Sequence, residues 1–152
     1  MKARQTGPEQ WLILNGTADE RAFARIRRLP RGTGVLVLGG LKAAAERRLR
    51  TLAREKAITV MAEAPQAAAR VHNIRELTQA RLRRAKLILI SPLYPTRSHP
   101  DWEPLGRMRA ATLARLAGRR AIALGGMDQQ RFDRVRRLGF AGWAGISSWL
   151  EP

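Results

Sequence analysis

Six apolar runs divide this chain: WLIL (11–14), VLVL (35–38), ITVM (58–61), LILI (87–90), AIAL (121–124) and the weaker GWAGI (142–146). A strand with one wet face alternates apolar and polar residues, whereas a strand buried on both faces reads as an unbroken apolar run. Between the runs the spacing turns helical. Phe23, Ile26 and Leu29 share one side of the first such segment, Ala45, Leu49 and Leu52 of the second, and Phe132, Val135 and Leu138 of the last. Strand and helix alternating through short links imply right-handed crossovers and a parallel sheet covered by helices, as an open doubly wound sheet or a closed barrel. Periodicity alone does not choose between them.

Helix starts carry their own signals. Thr17 with Glu20 and Asn73 with Glu76 have capping-box spacing, and Asp128 reads as an N-cap. Residues 62–73, AEAPQAAARVHN, are the exception, with no clear period and too little length for a full helix and strand.

At 152 residues the chain is expected to form one domain, 1–152. No run of about 18 apolar residues is present, so no membrane partner is expected. The opening MKARQTGPEQW has no apolar signal core and there are 0 Cys, which makes the cytoplasm the expected location. The formal net charge is +17, carried by 25 Arg and 4 Lys. Their runs, such as RIRR, ERRLR and RVRR, have helix-surface spacing and read first as a solvated face. Nucleic acid is a possible partner but not the favoured one, because Trp11, Trp102, Trp143 and Trp149 do not interleave with the arginines as a stacking platform would.

Small and polar residues gather where the apolar runs end, at the edge where parallel α/β proteins bind ligands. Gly125-Gly126-Met127-Asp128 joins a strand to a helix start and suits close approach of an anion, although a plain tight turn reads equally well. Ser147 and Ser148 end the last run and could add hydroxyls to such a site. The loop SPLYPTRSHP holds Thr96, Arg97, Ser98 and His99 between Pro92, Pro95 and Pro100, whose fixed φ lowers the entropy cost of ordering the loop. His72 and His99 are the only histidines, each near a strand end, and imidazole is the usual proton carrier near neutral pH. Two separated histidines without cysteine or clustered carboxylates do not make a metal set.

From about Val71 to Leu150 the motifs H-N-I-R-E-L, L-I-S-P-L-Y-P-T-R-S-H-P, A-L-G-G-M and G-W-A-G-I-S follow one another in an order and spacing that resembles the thiamine phosphate synthase/TenI superfamily. The resemblance implies a (β/α)8-type barrel with a thiazole phosphate-like ligand at its C-terminal face. It implies phosphate binding by Gly125, Gly126 and Ser147, and substrate contacts from Thr96, Ser98 and His99. It also implies general acid/base chemistry by His72, which needs no cofactor. The pyrophosphate-gripping motif of synthases is replaced by Leu38-Gly39-Gly40 and the magnesium carboxylates by Ala62-Glu63-Ala64, and His99 stands where synthases have lysine; these departures argue against a metal-dependent synthase. With six runs in place of eight, the expected fold is a TIM-barrel-derived parallel α/β fold of about six βα units, incomplete or rearranged, with a deletion near 62–73. A second copy of the chain is the candidate to cover the gap. The alternative is a noncatalytic basic scaffold that contacts nucleic acid or an acidic partner.

Overall fold

The computed structural model describes residues 7–16 and 18–146. Strand β1 (Gln10–Asn15) leads to helix α1 (Glu20–Arg28), β2 (Gly34–Leu38) to α2 (Ala43–Lys56), and β3 (Thr59–Ala62) directly to β4 (Ala68–Val71). Then follow α3 (Ile74–Leu82), β5 (Leu87–Ile90), α4 (Arg107–Ala117), β6 (Ala121–Leu124), α5 (Gln129–Val135) and β7 (Gly142–Gly145). All seven strands are parallel, in the order β3-β2-β1-β7-β6-β5-β4. The first strand thus pairs with the last, Trp11 opposite Ala144. The two edge strands meet in a single parallel bridge, Glu63 to Ala68. The result is a nearly closed barrel with helices outside.

The apolar runs are unbroken because successive side chains serve two different layers. Trp11, Ile13, Leu36, Leu38, Leu89 and Ile122 fill the barrel interior. Leu12, Leu14, Val35 and Val37 turn outward onto Phe23, Ile26 and Leu49, while Ile88 and Ile90 pack with Leu77, Leu113 and Phe132. Phe23 and Ile26 are 1% and 0% exposed, and burial of each is worth about 1.5–3 kcal/mol. A Cβ at Gly34 would lie 2.1 Å from Trp11 Cε3, so glycine is what admits the indole there. Trp11 therefore plugs the barrel near the start of its strand and leaves the opening at the C-terminal ends.

The described residues form seven strands, one more than the six apolar runs. The added strand, β4, lies inside the segment that reads as compressed. It faces Ala68 and Arg70 inward and Ala69 and Val71 outward, a composition with neither an apolar run nor an alternation. Parallel neighbours ordinarily need a crossover of about a dozen residues or more. Residues 63–67 suffice here because β4 is slid along its neighbour, so that its first residue pairs with Glu63, just beyond the end of β3. Glu63 N–H donates to Val37 O at 2.9 Å, and Ala67 N–H to Ala64 O at 3.0 Å, fixing the step. No helix lies between β3 and β4 in the chain, and Ala62 is exposed.

Asn73 and Asp128 cap α3 and α5 as expected, accepting from Glu76 N at 2.9 Å and Arg131 N at 2.7 Å. Helix α1 instead begins after Asp19, whose carboxylate accepts from Ala22 N at 2.8 Å. Thr17 lies outside the described residues. No helix among the described residues is long and apolar enough to cross a membrane.

Candidate active site

Beyond β5 the chain does not turn straight into a helix but runs across the barrel mouth as residues 91–106. Leu93 N–H donates to Leu124 O at 3.0 Å, Tyr94 N–H to Gly125 O at 3.1 Å and Leu105 N–H to Pro92 O at 2.7 Å, which pins the loop to the end of β6 and to itself. Gly125 and Gly126 have φ of +100° and +60°. A Cβ at Gly125 would lie 2.8 Å from Pro92 Cα, and one at Gly126 would lie 2.4 Å from Pro95 O. The glycines thus let the proline loop lie against the turn, a use independent of any anion.

Between the loop and the strand ends is a cavity of about 110 Å³. Ile13, Leu38, Leu124 and Ala144 give it an apolar floor, and Asn15, Arg70, Ser91, Thr96, Ser98 and His99 bring polar groups to its wall. Ser98 N–H donates to Thr96 Oγ1 at 3.3 Å, a local turn that fixes the threonine. His99 stacks on Trp102 with centroids 4.0 Å apart and planes 9° from parallel. Behind the glycine turn, Arg131 donates to Gly126 O and lies over the Tyr94 ring at 4.7 Å, setting a cation beside the cavity wall.

His72 follows β4. Its backbone N–H donates to Glu76 Oε2 at 2.6 Å, and its Nδ1 lies 2.9 Å from the same oxygen. A carboxylate oxygen only accepts, so Nδ1 carries the proton and neutral His72 keeps its lone pair on Nε2. Nε2 is buried and has no hydrogen-bond partner among the described residues. Burial of Glu76 acts to raise its pKa, but the hydrogen bonds from His72, its charge when protonated and a smaller contribution from Asn73 outweigh this and hold the carboxyl below its ordinary range. The His72 ring meets Trp102 edge-on at 5.7 Å, so the indole links it to the stacked His99.

The structure therefore gathers Thr96, Ser98, His99, Gly125 and Gly126 around one cavity. His72 adjoins that cavity through Trp102 and does not line it. Ser147 and Ser148 lie outside the described residues. Sequence reasoning missed Arg70 and Trp102, whereas Ser91 falls among the small and polar groups it placed at the strand ends. The strand parity that aims Ala68 inward aims Arg70 inward as well, and would have found it had β4 been recognised. Trp102, which the sequence sets apart only as one of four tryptophans that do not interleave with the arginines, is 43% exposed and lines the cavity.

Glu63 stands where the resemblance puts magnesium ligands. Both of its oxygens are held by Arg70, Oε1 by Nε at 2.6 Å and Oε2 by Nη2 at 3.1 Å. Among the described residues no three acidic or histidine side chains converge as a metal set. The residues present do not fit a magnesium site.

Residues 38–149 match the family model described as thiamine monophosphate synthase. "Putative thiamine-phosphate synthase 2" of Aquifex aeolicus is 30% identical over 80 residues, which make up 53% of this chain and 43% of that one. The match thus spans less than half the length of that relative. The thiamine phosphate pyrophosphorylase from Pyrococcus furiosus superposes with a TM-score of 0.73 at 15% identity, covering 94% of this chain and 87% of that one. The corresponding protein from Bacteroides thetaiotaomicron gives 0.60 at 15% identity, over 93% and 83% of the two chains. At such identities the superpositions speak for the fold.

Proposed function

Because the chain belongs to the thiamine monophosphate synthase/TenI family, we propose that its barrel mouth binds a thiazole phosphate-like ligand and that His72 moves a proton on it. The observation that carries this reading is the convergence of Thr96, Ser98, His99, Gly125 and Gly126 on one cavity at the C-terminal ends of the strands. In this reading the phosphate sits against the N–H groups of the glycine turn with Arg131 behind it, and Thr96 and Ser98 contact polar atoms of the ring. His72 Nε2 takes a proton from one ring-system carbon and returns it at another, which interconverts tautomers without net change of charge or redox state.

Trp102 stands between His72 and the cavity, so productive binding requires the loop to yield. The engagement of Glu63 by Arg70, and the absence of the pyrophosphate motif, weigh against synthase chemistry at this site. The test is conversion of a thiazole phosphate tautomer followed by proton NMR. Loss of conversion in His72→Ala with ligand binding retained supports the role, and full conversion by that variant excludes it.

A second reading is a basic scaffold. Arg75, Arg81, Arg107, Arg109 and Arg115 on α3 and α4 form no ion pair among the described residues, in contrast to Arg48, Arg50, Arg70 and Arg136. Nucleic-acid binding through these arginines would weaken steeply with salt as phosphate counterions are released. Affinity for duplex DNA that is absent at about 0.15 M salt would exclude it.

A further inference from the structure

In a capping box the acidic side chain at the third helical position reaches back to the N–H of the cap residue. Asn73 is the cap of α3 and its own half of that exchange is made, since it accepts from Glu76 N at 2.9 Å. The return half is diverted by one residue. Glu76 Oε2 takes the N–H of His72 at 2.6 Å and the ring Nδ1 of His72 at 2.9 Å. One carboxylate oxygen thus fixes both the backbone and the imidazole of the same residue. Helix capping alone calls for neither the ring contact nor an Nε2 left buried, and without a partner among the described residues, at the other side of that ring.

We propose that Glu76 is a positioning residue that locks His72 in the tautomer with the proton on Nδ1 and the basic lone pair on Nε2. This rests on the reading of His72 as the proton carrier, and names what prepares it. A free neutral histidine favours the opposite tautomer, with the proton on Nε2, in which that atom is a donor and cannot abstract a proton. Glu76 acts against this preference by offering Nδ1–H an acceptor fixed to the first turn of α3. It also holds the ring against rotation about its side-chain bonds, since backbone and ring are tied to one oxygen. The other aromatic groups around the ring reinforce the arrangement, with Trp102 edge-on at 5.7 Å and His99 stacked behind it at 4.0 Å.

The tautomer is directly observable by two-bond ¹⁵N–¹H correlation of the imidazoles above their titration. Wild type is expected to show His72 with Nδ1 protonated and Nε2 bare. Glu76→Gln retains an acceptor oxygen and is expected to retain that pattern, whereas Glu76→Ala is expected to shift the majority to Nε2–H, with far-ultraviolet circular dichroism unchanged because the Asn73 cap remains. A wild-type His72 already in the Nε2–H form, or an Ala variant with the wild-type pattern, overturns the proposal. In the thiazole phosphate assay, Glu76→Ala should lower kcat at least tenfold with KM changed less than threefold, and Glu76→Gln should restore most of it. If wild type shows the Nδ1–H tautomer but no conversion, the functional reading fails while the positioning role stands.

Discussion

Glu63 Oε1 and Arg70 Nε stand 2.6 Å apart across the seam between β3 and β4, the place where the barrel is held by one backbone bridge. The pair does with side chains part of what a ladder of backbone hydrogen bonds does elsewhere around the sheet. Its geometry is bidentate, and both partners sit at the rim, with side chains 28% and 38% exposed.

An exposed ion pair contributes about 0–1 kcal/mol, and a bidentate one at a rim falls toward the upper end. Glu63→Ala and Arg70→Ala should each lower stability by about 1 kcal/mol, and the double variant should cost about the same as either single one. Urea unfolding of the four proteins checks this. Additive losses would show that the two residues act separately.

Gly126→Ala places a Cβ 2.4 Å from Pro95 O at a φ of +60° and should destabilise by about 2–4 kcal/mol, or displace the proline loop. Gly40→Ala has a similar φ of +78° but open space around it, and should cost only about 1–2 kcal/mol. Thermal unfolding of both variants separates packing from backbone strain. Equal losses would mean that contact with the proline loop adds nothing.

Glu76 gives a pH signature. Its folded-state pKa is depressed, so its stabilising contribution is present above the unfolded value and is lost as pH falls through the folded one. Glu76→Gln should therefore be less stable than wild type near neutrality, with the difference shrinking on acidification through the carboxylate range. Urea midpoints at a series of pH values measure it. A difference that does not vary with pH contradicts the assignment.

Trp102 should screen His72. Removing the indole in Trp102→Ala exposes Nε2, so acylation of His72 by diethylpyrocarbonate, read by peptide mass spectrometry, should accelerate several-fold. An unchanged rate would mean that other groups bury that nitrogen. Because Trp102 is itself 43% exposed, its loss should leave the fold intact.

Much of the fold is written in local pattern. LILI and VLVL read as doubly buried strands because Leu89 and Leu36 serve the interior while Ile88 and Val35 serve the helix layer. AARV does not, since small residues and an arginine meet the same geometry without an apolar signature. The closing step from Glu63 to Ala68 depends on a stagger between strands that no periodicity encodes. In the site, Thr96, Ser98 and His99 are legible because prolines mark their loop, and Gly125-Gly126 because paired glycines mark a turn. The packing of Pro92 and Pro95 on those glycines, and the diversion of Glu76 from Asn73 to His72, arise only from tertiary placement.

The central claim, that the mouth over Gly125 and Gly126 receives the phosphate of a small ligand, is tested most directly by a crystal structure grown with thiazole phosphate. The account predicts phosphate oxygens within about 3 Å of the Gly125 or Gly126 N–H groups, with the ring between Thr96 and His72. A structure at saturating ligand with the mouth empty, or with the phosphate bound elsewhere on the arginine-rich surface, would contradict it.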